Sequence, residues 1–230
     1  MGLTGTLINA GAVAVGGGAG LLLGSRLGER PRETVMDGIG LVTIVLGTQM
    51  ALRTENALVV LLAMLLGALV GEWAKIEDRL ASLGDALRAR VRGTDGSRFT
   101  EGFVAASLLF CVGPMTILGA LDDGLRGDYS LLAVKSVLDG FSALAFASTM
   151  GVGVLFSVVT ILVYQGAITL LAGAAEAAFT APVVAELTAT GGVMVLGIGI
   201  RLLGIRGVRV GNFLPALVFA PLILAIFQAV

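Results

Sequence analysis

Lys135 and Asp139 are the only charged residues in KSVLDGFSALAFASTMGVGV, the run from Lys135 to Val154. Their i,i+4 spacing lets an ammonium and a carboxylate meet on one helix face. Ionisable side chains inside a membrane span are costly, and by default they mark an ion, proton or substrate path. A carboxylate there can take a proton or a cation, with the lysine as its counter-charge when no ion is bound. A static structural ion pair is the competing reading. Counted along its apolar segment, Lys135 stands near an outer end from which it can snorkel, whereas Asp139 lies close to the middle and is the sharper candidate. Neutral oxygens to complete a site are carried by Asn9, Gln49, Ser157, Thr160 and Gln165, each of which could equally bond a neighbouring helix.

Enzyme chemistry is poorly provided for. The chain has no histidine for general-base or zinc work. It shows neither a Gly-x-x-x-x-Gly-Lys-[Ser/Thr] phosphate loop nor a Gly-x-Ser-x-Gly elbow. An intramembrane enzyme built on Asp139 needs a second carboxylate nearby, and none stands out. The expectation is a protein that is not an enzyme, with no cofactor and no resident metal. A metal as cargo would have to use carboxylate, carbonyl, and Met115 or Cys111 sulfur. Cys111, the single cysteine, falls in an apolar run and reads as a small buried hydrophobe.

The elements that must position these groups are membrane helices. Hydrophobic residues make up 57% of the 230 and charged residues 13%, with a mean hydropathy of +0.99. Soluble chains carry charge on about a quarter of their residues. At roughly 20 residues per crossing, about eight spans use most of the chain and leave no room for a soluble domain. The net charge of −1, without basic blocks, excludes nucleic acid as a partner. The partner is the lipid bilayer, with a small solute or ion as cargo.

Eight apolar segments are expected, at Thr4 to Ser25, Thr34 to Leu52, Asn56 to Ala74, Glu101 to Leu121, Ser130 to Thr149, Gly151 to Gly173, Gly191 to Ile205 and Gly211 to Val230. The loops after the first, third and seventh hold Arg26, Arg30, Arg32, Lys75, Arg79, Arg88, Arg90, Arg92, Arg98, Arg206 and Arg209. Those after the second, fourth and sixth hold only Arg53 and Arg126 beside Glu55, Asp122, Asp123, Asp128, Glu176 and Glu186. The positive-inside bias then makes the basic side cytoplasmic and places both termini outside. Asp37 and Glu72 fall near the cytoplasmic surface, solvated or paired with Arg26, Arg30 or Arg32, and Arg201 lies close enough to it to snorkel. No charged turn interrupts the stretch from Tyr129 to Gly173, so a re-entrant helix around Met150 remains an alternative to two full spans. Pro114, Pro215 and Pro221 are expected to kink the fourth and eighth spans.

Residues 75–92, KIEDRLASLGDALRARVR, form the one substantial element outside the membrane. Ile76, Leu80, Leu83, Leu87 and Val91 draw an apolar stripe on a charged helix. It either lies on the bundle ends or binds a partner.

The last third of the chain repeats the first. Gly5, Leu7, Gly18, Ala19, Leu22 and Leu23 match Gly153, Leu155, Gly166, Ala167, Leu170 and Leu171. Gly40 and Gly47 match Gly192 and Gly199; Arg53 and Asn56 match Arg209 and Asn212. Five crossings separate the copies, so they run in opposite directions, the inverted-repeat plan in which cargo binds at the repeat interface. The organisation read from this is one membrane domain over 1–230: a first repeat (1–74), the cytoplasmic amphipathic helix (75–100), inserted helices (101–149) and a second repeat (150–230). Glycine-interrupted segments in matching places point to Gly40 and Gly192, whose backbone could line a site. Most glycines, including Gly16, Gly20 and Gly24 and the pair Gly67 and Gly71, read instead as close-packing surfaces. Such surfaces also allow a homo-oligomer.

Six runs resemble a known family: GTLIN (Gly5 to Asn9), RETVMDGIGL (Arg32 to Leu41), EGFVAASLLFCVGPMTILGALDDGL (Glu101 to Leu125), KSVLDGFSALAFAST (Lys135 to Thr149), YQGAITLLAG (Tyr164 to Gly173) and GNFLPAL (Gly211 to Leu217). They are similar to the bacterial YqgA/YdfK-like family of uncharacterised inner-membrane proteins, a domain of unknown function. The resemblance implies a bacterial inner-membrane, multi-pass protein without an assigned substrate, and carries over no site residues. The sequence therefore predicts an all-α transmembrane bundle acting as a transporter or channel with Asp139 and Lys135 at its coupling site. The alternatives are a structural or regulatory protein acting through residues 75–92, and a lipid-handling enzyme or flippase.

Overall fold

The computed structural model describes residues 2–24, 29–88 and 96–229. The chain is all-helical, without strands among the described residues. Six helices are long and apolar enough to cross a membrane, and up to eight crossings result if each of two bent helix pairs counts as one. The faces left uncovered are apolar, with Val15, Leu22, Leu52, Trp73 and Phe141 among the most exposed side chains. Lipid rather than water is the medium such faces fit. Two compact units divide the helices.

The first unit holds Met1–Val35 and Glu101–Thr180. Its axis is a parallel pair, α1 (Thr4–Gly24) and α7 (Ser130–Met150). A Cβ added to Gly16, Gly20 or Gly24 would lie 2.1, 2.3 or 2.2 Å from the carbonyl oxygen of Gly140, Leu144 or Ser148. Steps of four on one helix meet steps of four on the other, so the stripe of small residues on α1 is a packing surface. It lets two backbones approach as no other residue type would. Along α7, Val134, Val137, Leu138 and Phe141 are exposed, whereas Lys135, Ser136, Asp139 and Ala143 are buried.

Two interruptions flank this pair. The expected span from Glu101 to Leu121 is broken into α5 (Gly96–Cys111) and α6 (Pro114–Arg126), bent by 58°. Pro114 forces the break: proline cannot continue the hydrogen-bond ladder and drives its predecessor out of the helical region, and Gly113 is indeed extended at φ −172°, ψ 156°. After α7, Gly151 takes φ 82°, ψ −154°, a conformation open only to glycine. The stretch without a charged turn is therefore two separate helical segments, each long and apolar enough to cross, Ser130–Met150 and Gly153–Leu170. The second is itself irregular: α8 (Gly153–Thr160), a π-helical turn (Ile161–Gln165) and α9 (Gly166–Leu170), followed by α10 (Ala172–Ala178).

The second unit holds Met36–Thr100 and Ala181–Val230. It contains most of α2 (Glu29–Ala51), then α3 (Ala57–Trp73), α4 (Ile76–Arg88), α11 (Ala181–Leu202), a short 3-10 turn (Val210–Phe213) and α12 (Ala216–Ala229). A Cβ on Gly47 would meet the carbonyl oxygen of Gly192 at 2.9 Å, and one on Gly199 that of Gly40 at 3.1 Å. These contacts run α2 antiparallel to α11. Gly67 and Gly71 similarly abut Ala216 and Asn212, and Val59, Ala63, Ala216, Ala220, Ile223 and Leu224 make a core between α3 and α12.

Several expectations change here. α11 begins ten residues before the expected Gly191, so Glu186 belongs to a helix rather than a loop, and it is buried. Three donors offset that cost: the Thr54 hydroxyl at 2.8 Å and the backbone N–H groups of Glu55 and Asn56 at 2.8 and 2.9 Å. Asn56 in turn caps α3, accepting from the Leu58 N–H. Glu72 pairs with Arg209 at 3.2 Å and accepts from Asn212 at 2.6 Å, in place of the early arginines. Arg201 meets Glu77 of α4 at 2.7 Å and does not reach outward alone. Glu77 also accepts the Gly211 N–H at 2.7 Å, tying α4 to the turn before α12. The expected stripe of Leu83, Leu87 and Val91, the side chains of Arg32, Arg88, Arg90, Arg92 and Arg98, and residues Ser25, Arg26 and Val230 lie outside what is described.

Candidate ion site

The first unit gathers its buried polar groups where its helices are irregular. Lys135 contacts the Asp139 carboxylate directly, and its ammonium also donates to the Phe110 carbonyl at 2.7 Å. That carbonyl is available because α5 stops one residue later: a broken helix leaves its last carbonyls without intrahelical partners. Thr116, on the far side of the break, donates to the same oxygen at 2.9 Å. Lys135 and Asp139 are 5% and 6% exposed. The lysine is buried rather than snorkelling to the surface, since α5 offers it a carbonyl and its own helix a carboxylate closer by.

Asn9 of α1 lies beside Asp139. Its amide donates to the Gln165 side-chain oxygen at 3.0 Å, and Gln165 donates to the Thr6 hydroxyl at 3.1 Å. Thr6 shares a hydrogen bond with Thr169 at 3.3 Å, and Thr169 donates to the Gln165 carbonyl at 3.1 Å. Gln165 closes the π-helical turn, and such turns recur at functional sites because they aim a side chain that a regular helix would point elsewhere. Further along, the Ser107 and Thr160 hydroxyls pair at 2.9 Å. Each of these side chains is buried or partly buried, so each bond satisfies a group that would otherwise be desolvated at a cost of about 1 to 3 kcal/mol.

Asp123, near the end of α6, joins from the amino-terminal end of α1. One of its oxygens accepts the Gly5 N–H at 3.0 Å, a carboxylate on the positive end of a helix. The other, Oδ1, is buried and without a hydrogen-bond partner among the described residues, as is Asn9 Oδ1.

Of the residues singled out from sequence, Lys135, Asp139, Asn9 and Gln165 come together in one connected set. Ser157 does not join them: its hydroxyl is spent on the Val154 carbonyl of its own helix at 2.6 Å. Gly40 and Gly192 belong to the other unit, where they pack against Leu203 and against Met50 and Ala51. Asp123, Thr6, Thr169 and the Phe110 carbonyl were not anticipated. For the threonines a signal existed: Thr6 with Asn9, and Gln165 with Thr169, stand i,i+3 and i,i+4 in otherwise apolar helices.

Known proteins place the chain in context. A family model described as a protein of unknown function, DUF554, matches residues 4–225. The chain is 34% identical over 220 residues to the uncharacterized protein YqgA of Escherichia coli (strain K12), covering 94% of each. It is 28% identical over 229 residues to the uncharacterized membrane protein YdfK of Bacillus subtilis (strain 168), covering 98% of this chain and 97% of that one. No solved structure matches.

Proposed function

We propose that the chain, which belongs to the DUF554 family, is a transporter or channel for a small solute or ion in a bacterial inner membrane, with Lys135 and Asp139 at its coupling site. The observation that carries this reading is the buried pair itself, set against the open end of a broken helix and linked through Asn9 to a π-helical turn. Discontinuous helices whose ends face polar groups are how transporters build ion sites in lipid. A purely structural bundle gains little from such an arrangement, because a buried ion pair rarely stabilises more than apolar packing would.

The inverted repeat belongs to the same proposal. Under the match of Gly40 and Gly47 with Gly192 and Gly199, the contact of Gly40 with Gly199 maps onto that of Gly47 with Gly192. Reciprocity of this kind is what a two-fold relation between copies generates. The matched loops are held alike: a glutamate accepts the N–H of Glu55 in one and of Gly211 in the other. Under the same match, each compact unit would pair helices of the two copies, α1 with α8 and α9 in the first, α2 with α11 and α3 with α12 in the second. With the basic loops cytoplasmic, both termini are outside.

The test is flux through the purified protein in liposomes. Wild type is expected to conduct or exchange cargo, and Asp139→Asn to abolish this at unchanged expression and insertion. Flux unaltered by Asp139→Asn would remove the carboxylate from the mechanism.

A further inference from the structure

The oxygens around the Lys135 ammonium form a set that suits a small monovalent cation. They are the Asp139 carboxylate and the Phe110 carbonyl, and the Asn9 amide lies beside Asp139. The Asn9 amide oxygen is buried and has no partner among the described residues. Carboxylate, peptide carbonyl and amide oxygens are hard ligands of the kind that replace water around such ions. Helix ends with open carbonyls serve the same purpose in membrane transporters.

A second buried carboxylate has an unused oxygen. Asp123 Oδ1 is buried and likewise has no partner among the described residues, while Oδ2 holds the Gly5 N–H. Gly5 packs against Leu132, which precedes Lys135 by three residues on the buried face of α7. Three residues amount to about 4.5 Å along a helix. Gly5 also meets Tyr129, six residues before Lys135, so Asp123 lies toward the start of α7, about one to two helical turns before Lys135, while Asp139 lies about one turn after it.

We propose that the cargo or coupling ion is an alkali-metal cation, which replaces the Lys135 ammonium between Asp139, the Phe110 carbonyl and Asn9 while Lys135 moves to Asp123. The inference rests on the transport reading and specifies its ion. Exchanging one single positive charge for another leaves the charge around Asp139 unchanged, so the carboxylate is never bare in a low-dielectric interior. Moving the lysine to a second carboxylate does the same for the ammonium. Lys135 is therefore a tethered competitor of the ion, and Asp123 its resting place when the ion is bound.

The experiment is thermal unfolding of the purified protein in sodium, potassium, lithium or N-methylglucamine chloride at equal ionic strength. At least one alkali cation is expected to raise the midpoint in a dose-dependent way, and Asp139→Asn to abolish the rise. Lys135→Met removes the competitor and is expected to lower the half-maximal concentration by about tenfold or more, a difference of about 1.4 kcal/mol. Asp123→Asn, which can still cap α1, is expected to raise that concentration. Equal midpoints in alkali and N-methylglucamine salts, in wild type and Lys135→Met alike, would overturn the proposal. Cys111 supplies a second readout, being the only cysteine and lying close to both Lys135 and Asp139. The cation should slow its labelling by a small thiol reagent in wild type but not in Asp139→Asn; equal rates in both salts and both proteins count against the site. Liposome flux separates the two readings. Flux that needs Asp139 but ignores alkali cations, as a proton path would, sinks the cation and keeps transport. Cation binding without any flux does the reverse.

Discussion

Gly20 of α1 lies so close to Leu144 of α7 that a Cβ on the glycine would come within 2.3 Å of the leucine's carbonyl oxygen. With Gly16 and Gly24 making the same contact a turn away on either side, the register of two parallel helices is set by backbone against backbone. That register matters for the chemistry, because α1 brings Asn9 and α7 brings Asp139.

Gly20→Leu should therefore push the helices apart, destabilising the protein by about 1 to 3 kcal/mol or more, the usual cost of overpacking. Gly18→Leu is the control, since nothing lies within 4 Å of a Cβ there and the new side chain would meet lipid. Thermal unfolding in detergent should rank Gly20→Leu well below Gly18→Leu. Equal midpoints would mean that the two helices do not pack through this stripe.

Glu186 carries a comparable prediction in the other unit. Glu186→Ala leaves the Thr54 hydroxyl and the N–H groups of Glu55 and Asn56 without their acceptor. Each orphaned buried donor costs about 1 to 3 kcal/mol, reduced here because the loop is partly exposed. Hydrogen exchange should speed up first at Glu55 and Asn56, ahead of global unfolding, and Glu186→Gln should recover part of the protection. Unchanged exchange at those two amides would show that the carboxylate does not hold the loop.

These partners also mark where sequence reading stops. Lys135, Asp139 and the glycine stripe were legible because a charge in an apolar run, or small residues at steps of four, is a local pattern. So was an interruption at Pro114, whose ring removes a backbone donor and disfavours the helical region for the residue before it, although Pro221 is accommodated inside α12. Glu186 and Asp123 were assigned to loops by their charge alone, and Glu77 to a charged helix outside the membrane. Each is buried instead because it accepts backbone N–H groups more than a hundred residues away, at Glu55, Gly211 and Gly5. No period or motif records a partner of that kind, since every residue but proline offers the same donor. Lys135 was read as free to snorkel from near an outer end for a related reason. Counting residues from a helix start gives depth, but it cannot show that α5 ends with an open carbonyl beside the ammonium.

The bond between Asn9 and Gln165 can be weighed by a double-mutant cycle with Asn9→Leu and Gln165→Leu. Side-chain hydrogen bonds between membrane helices average about 0.6 kcal/mol and reach roughly 1.7. Asn9 also neighbours Asp139, and Gln165 also holds Thr6, so each single variant disturbs a second contact. The double variant is expected to be less destabilised than the sum of the singles, with a coupling at the upper part of that range. Additive effects in chemical or thermal unfolding would show that the amides do not act as a pair.

The sharpest prediction separates a working ion pair from a structural one. Removing one partner of a buried pair strands the other and costs about 3 to 5 kcal/mol, so Lys135→Met and Asp139→Leu should each lower stability strongly. Replacing both with apolar residues of similar volume removes the cost together with the charges, and Lys135→Met/Asp139→Leu should regain most of the wild-type midpoint. If the pair served only to hold α7 against α5, a double variant of restored stability would also keep whatever the protein does. If Asp139 is where cargo or its coupling ion binds, the double variant should be as well folded as wild type and inert in liposomes. Restored flux alongside restored stability would assign Lys135 and Asp139 to the scaffold and move the search for the path to Gln165 and the π-helical turn.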